Sequence, residues 1–230
     1  MDAKQLLEKL KHTSEEAQML KIILKLGKYA KGKTIENSLV ALSESNSEKI
    51  RAASIDALLT NPHKRIKKLV MAHINDTNEV KMKCFEYLGY HRMKQAEPIL
   101  LAHLNDADHW IRYFAVLNIG DMSSYELIEN VEKHLENENN DVVKSGGYLT
   151  LYLLSETDAD MEYNRQKLIE LLNSTDEEAR FVTINTLTDI GAHFEKEKVI
   201  QAFSERLEIE KDKDNVAVLN WGIRILKYYR

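Results

Sequence analysis

The chain has 230 residues, of which 30% are charged and 43% hydrophobic, with 8 Gly, 2 Pro and a formal net charge of -5. So few glycines and prolines exclude a turn-rich β architecture, and the longest apolar runs, such as Ile22–Leu24 and Ile99–Ala102, fall far short of the roughly 20 residues a membrane-spanning helix needs. Cys84 is the single cysteine, which excludes an internal disulfide and makes the cytoplasm the expected location.

In chain order, the amphipathic start MDAKQLLEKLKH lacks the apolar core and small-residue cleavage site of a secretory signal, and residues 1–33 read as a capping repeat. A helix ending at Leu42 leads to a second that opens at Ile50. Asn61-Pro62 signals the next start, by proline at the first helical position, and that helix ends near Ile74. AHINDTNEVKMKCFEYLG at 72–89 then has a near-copy about 30 residues on, AHLNDADHWIRYFAVLNIG at 102–120. Asp108 supplies an N-cap carboxylate, while Gly89, Gly120 and Gly191 read as helix ends. Further first helices end at Leu104, Leu135, Leu171 and Leu207, and residues 195–230 read as the second cap. Fourteen helices and no strand are expected.

Aligned on this period, the second helices share a register. Each opens on an aliphatic or small residue (Ile50, Val80, Ile111, Val143, Ala179, with Val216 a weaker sixth) followed by a basic one (Arg51, Lys81, Arg112, Lys144, Arg180). Four places after the opener stand Ser54, Cys84, Ala115, Gly147 and Thr183, and eight places after it Leu58, Leu88, Ile119, Leu151 and Leu187. Offsets of zero, four and eight lie on one helical face, and a small residue at its centre lets a neighbouring helix approach closely. Residues at offset five, Ile55, Phe85, Val116, Tyr148 and Ile184, widen the stripe, so each helix needs neighbours on more than one side.

The stretch Ala96-Glu97-Pro98-Ile99-Leu100 through Asn105-Asp106, then Ile111-Arg112 and Gly120, resembles the HEAT-like repeat also found in phycobilin lyases and bacterial scaffold proteins. The resemblance covers about residues 36 to 191 and implies an all-α, right-handed α-α superhelix of about seven helix pairs, with second helices on the concave side. One such domain over 1–230 is expected. Both ends depart from the pattern, with Ala217 in the basic column and Asn220 in the small one, as capping repeats do.

Most of the chemically tempting residues have structural work to do. The basic column is expected to reach the turn aspartate of a neighbour, Asp76, Asp106, Asp141 or Asp176, because a charge beside an apolar stripe needs a partner. Cys84 is read as a small core residue. His73, His103 and His134 share one column, but no carboxylate or thiol set completes a coordination sphere, so no metal or cofactor is expected. No Gly-rich phosphate loop, Gly-x-Ser-x-Gly or Cys-x-x-Cys occurs, and a chain that is not an enzyme is expected.

What remains is the second-helix ridge at offsets two and six, with Trp110 beside it: Met82, Glu86, Tyr113, Leu117, Phe181 and Asn185 are the candidate partner-binding residues. Large apolar groups on a nominally exposed face are what interface centres use, and the competing reading is burial by tight curvature. The expected function is an interaction scaffold that receives a protein or peptide on its concave face. Two alternatives stand beside it. One is an enzyme related to HEAT-like lyases or DNA glycosylases. The other is nucleic-acid binding by the amino-terminal half, where residues 1–115 hold 19 Lys+Arg against 14 Asp+Glu while the remainder is strongly acidic.

Overall fold

The structure is a computed structural model that describes residues 1–191 and 196–228; residue 195, the expected start of the second cap, lies outside them. Among the described residues the chain forms fourteen α-helices, three short 3₁₀ turns and no strand. They run in consecutive pairs: α1 (Ala3–Lys11) and α2 (Glu16–Leu26), α3 (Lys33–Leu42) and α4 (Glu48–Ala57), α5 (Lys64–Ala72) and α6 (Asn78–Tyr90), α7 (Glu97–His103) and α8 (His109–Asp121), α9 (Ile128–Asn137) and α10 (Asp141–Leu154), α11 (Asp158–Leu171) and α12 (Glu177–Gly191), α13 (Lys196–Leu207) and α14 (Lys213–Tyr228). The helices group into two compact units, Met1–Leu100 and Leu101–Arg230, and the division falls within α7.

The repeat register accounts for the core. The five openers from Ile50 to Ala179, the five small residues and the five aliphatic residues at offset eight are all buried, while Val216 and Tyr148 are half-buried. In the first unit α2, α4 and α6 pack in a row. Asn61 ties the loops together there: its Nδ2 donates to the Ala30 carbonyl at 2.8 Å, and its own carbonyl accepts the Tyr87 hydroxyl at 2.6 Å. Asn61 is fully buried and α5 starts only at Lys64, so Pro62 precedes the helix instead of opening it.

In the second unit α8, α10, α12 and α14 form the corresponding row. Asp108 caps α8 as expected, its carboxylate accepting from the Trp110 and Ile111 amides. α12 ends at Gly191 as expected, but Gly120 has a different role from the one expected. Helices α6 and α8 end on left-handed residues that are not glycine, Arg92 (φ 47°) and Ser123 (φ 54°). Met93 N–H reaches the Leu88 carbonyl at 3.0 Å and Ser124 N–H the Ile119 carbonyl at 3.3 Å, closing each helix in a Schellman turn. Gly120 lies inside the last turn, where a Cβ would stand 3.1 Å from Thr150 Cα of α10. A Cβ on Gly146 would meet the Tyr113 ring at 2.8 Å, and one on Gly147 the Leu135 side chain. These glycines therefore set the spacing of helices, and α8 lies closer to α10 than ordinary side chains would allow.

Candidate functional site

The basic column builds a repeated turn lock. Arg51 forks onto Asp76 with Nε and Nη2 at 2.9 and 2.6 Å, while its Nη1 donates to the Ser45 and Asn46 carbonyls of the turn before its own helix. Arg112 repeats the arrangement onto Glu138 at 2.7 and 3.0 Å, with Nη1 on the Asp106 and Ala107 carbonyls. Arg180 repeats it onto Glu210 at 2.8 and 3.0 Å, with Nη1 on the Ser174 carbonyl. Each carboxylate in turn accepts amides of its own turn, from Thr77 for Asp76, from Asn139 and Asn140 for Glu138, and from Lys211 and Asp212 for Glu210.

The expected acceptors are therefore correct only for Asp76. Arg112 and Arg180 reach Glu138 and Glu210 instead, neither of them among the aspartates expected. One lysine of the column, Lys144, behaves differently and pairs with Asp141 of its own helix at 3.1 Å. An ammonium cannot make the planar two-pronged contact of a guanidinium.

The electrostatics follow from these contacts. The Arg51 guanidinium holds the Asp76 carboxyl well below the usual carboxylate range. Burial alone would raise Glu210, but Arg180, Arg206 and the turn amides bring it down to about 2. The histidine column joins the same turns: His73 Nδ1 lies 3.1 Å from Asp76 Oδ2, and His134 Nε2 lies 3.5 Å from Glu138 Oε2. Burial pushes the His134 imidazole down. Among the described residues no group of three or more His, Cys, Asp or Glu is placed to hold a metal ion. Cys84 is fully buried, and burial pushes its thiol up to about 12.

The ridge residues divide between the units. Met82 and Glu86 lie on α6 in the first; both are half-buried, and Glu86 accepts from Lys83 at 2.8 Å. Trp110, Tyr113 and Leu117 on α8 and Phe181 and Asn185 on α12 lie in the second. Trp110, Tyr113 and Leu117 are half-buried, Trp110 and Tyr113 meeting edge to face with ring centroids 5.4 Å apart. Phe181 is 40% exposed. Although α10 stands between them in the row, α8 and α12 touch: His109 Nε2 is 3.5 Å from Glu178 Oε2. His109 and Tyr113 share a face of α8, as Glu178 and Phe181 do of α12, while the Tyr113 ring lies against Gly146 of α10.

On the side of the first helices, a cleft of about 840 Å³ opens between Leu101–Asp106 and α9. Its α9 wall is polar, formed by Asn130, Lys133, His134 and Asn137 at spacings that share one helical face. The sequence gives little notice of it, since these residues look like an ordinary solvated face. Arg112 and Glu138 also line the cleft, already joined to each other.

Fold and turns together define an all-α helical-repeat protein. No protein-family model matches the chain, and no curated protein sequence does. Among solved structures it is similar to a chain of the complex of CpcE and CpcF of phycocyanin lyase from Nostoc sp., with 16% identity, a TM-score of 0.65, and coverage of 98% of this chain and 95% of that one. An engineered protein aligns at 14% identity and a TM-score of 0.42 over 89% of this chain and 96% of its own. The expectation that the chain is not an enzyme is overturned by the first of these likenesses. A lyase is built on this fold, so the lack of a familiar catalytic motif in a run of helical repeats does not argue against catalysis. Among the described residues no helix is long and apolar enough to cross a membrane.

Proposed function

We propose that the chain is a HEAT-like repeat protein that binds a protein or peptide on the second-helix side of its second unit, through Trp110, Tyr113, Leu117, Phe181 and Asn185. Met82 and Glu86 form the matching ridge of the first unit, and residues 1–230 constitute one run of repeats with caps at 1–33 and 195–230. The observation that carries the reading is the His109–Glu178 contact between α8 and α12, the helices that carry the Trp110–Tyr113 pair and the exposed Phe181. Aromatic groups partly buried in a stable framework lose little freedom on binding, which suits an interface centre. The fold neighbour belongs to a complex of two proteins, which supports a protein partner. The test is quantitative capture of partners from the native cell with the parent chain and a Trp110→Ala/Tyr113→Ala/Phe181→Ala variant. Loss of one reproducible partner supports the assignment, and undiminished capture by the folded variant removes it.

The same neighbour favours a second reading, that the chain takes part in a lyase reaction on a protein. Incubation with phycocyanin, followed by the visible spectrum of that protein, checks it: a change that depends on the chain supports the reading, and an unchanged spectrum argues against it.

A further inference from the structure

The second unit has another recess, independent of the ridge. A pocket of about 650 Å³ lies between α9, α10 and the start of α11. Its floor is apolar, with Leu135, Leu151 and Leu154, and its walls carry Tyr148 and Tyr163. Its rim is acidic: Glu132 and Glu136 project from α9, Glu156 from the loop after α10, and Asp160 from α11.

Two observations show that this rim is more than solvated surface. The carboxylates of Glu132, Glu136 and Glu156 are exposed and make no hydrogen bond or ion pair among the described residues. Glu132 and Glu136 are one turn apart, a like-charge spacing that costs a helix a few tenths of a kcal/mol, on the order of 0.2–0.5, when no cation offsets it. In the pocket wall, Asn164 is only 5% exposed; its Nδ2 donates to Ser155 Oγ and the Asp160 carbonyl, and its Oδ1 accepts nothing. A buried carbonyl without a donor is costly, and it favours a ligand rich in N–H groups.

We propose that this pocket receives an arginine side chain presented by a basic peptide segment of a partner protein. Charge selects a cation, and the apolar floor and the tyrosines select among cations. A guanidinium is weakly hydrated, stacks on aromatic rings and forks onto carboxylates, whereas an ammonium keeps its water and gains less between Tyr148 and Tyr163. The Tyr163 ring already attracts one cation, Lys167 Nζ, 5.6 Å from its centroid and held by Glu170. The ring is on a residue 60% exposed, which leaves room for a second. The volume exceeds that of one side chain, so flanking aliphatic residues of the segment cover the leucine floor.

The test is fluorescence polarisation with two labelled pentapeptides, Gly-Leu-Arg-Leu-Gly and its citrulline counterpart, which keeps the shape and loses the charge. The parent chain is expected to bind the arginine peptide about tenfold more tightly, and Glu132→Gln/Glu136→Gln and Tyr163→Ala are each expected to remove most of that preference. All three positions are exposed, so folding is retained and is checked by circular dichroism. Trp110→Ala/Phe181→Ala leaves this binding unchanged, which separates the pocket from the ridge. Equal affinity for the citrulline peptide overturns the proposal, as does an equal loss with Glu205→Gln/Glu208→Gln, in and just after the last turn of α13, which would mean diffuse attraction to an acidic surface.

Discussion

The carboxylates of the turn locks and those around the α9–α11 pocket are the same chemical group put to opposite uses. Glu210 is buried, with its side chain 1% exposed, yet Arg180, Arg206 and two amides leave none of its acceptor capacity idle. Glu132 and Glu136 are exposed and have no partner among the described residues. Desolvation explains the contrast. A buried charge must be matched within the chain or the fold fails, whereas an exposed charge can wait for a partner from outside. A carboxylate in this repeat is thus read by its surroundings, and its position along the register alone does not say which kind it is.

Breaking a lock should give the largest effect. Arg180→Ala leaves buried Glu210 with Arg206 and the turn amides alone and is expected to destabilise the chain by about 1.5–3 kcal/mol in chemical denaturation, with Arg180→Lys recovering only part of the loss. Removing both partners in Arg180→Ala/Glu210→Ala should cost less than the single change predicts, and a simple additive loss would show that the pair is not coupled. Next in size is the spacing of α8 and α10. Gly146→Ala forces a methyl against the Tyr113 ring and is expected to cost about 1–3 kcal/mol by thermal unfolding.

Acid should expose the same asymmetry. The folded Glu210 carboxyl lies near 2, below its ordinary value of 4.5, so its contribution is present above about 4.5 and is lost as pH falls toward 2. In Glu210→Gln that segment of the stability-versus-pH curve should flatten, as followed by denaturation at a series of pH values. The smallest change belongs to the pocket: Glu136→Gln relieves like-charge repulsion and should raise stability by about 0.2–0.5 kcal/mol at low salt, with the gain fading as salt is added. A loss of stability there would mean that Glu136 has a partner after all.

The fold was largely legible in the sequence because the register is a packing rule. Ile50, Val80 and Ile111 recur with small residues at offset four, and nothing but close helix stacking asks for that combination. The lock arginines were legible too, but their acceptors were only partly so: Glu138 and Glu210 sit in turns of different length, and which carboxylate reaches the fork depends on loop geometry. Gly120 was misread because it is consistent both with a helix end and with a close approach, and only the position of Thr150 decides between them. The ridge was recognisable as a set of large side chains, but their half-burial depends on neighbouring helices that one repeat does not encode. The pocket left a faint trace, the unpaired spacing of Glu132 and Glu136 with Tyr163 downstream, which matters only once α9 and α11 are known to face one recess.

The adjacent glycines of α10 have a consequence for how the second unit melts. Each costs a helix interior roughly 1 kcal/mol relative to alanine, so α10 on its own is a poor helix. It persists because α8, Leu135 and the row beyond it enclose its backbone. Helical repeats often lose structure piecemeal, one neighbour at a time. Here the central helix cannot outlast its neighbours, nor can they close without it. Amide hydrogens along α10 should therefore exchange only when the whole unit opens, giving the second unit one melting transition in place of a graded unravelling.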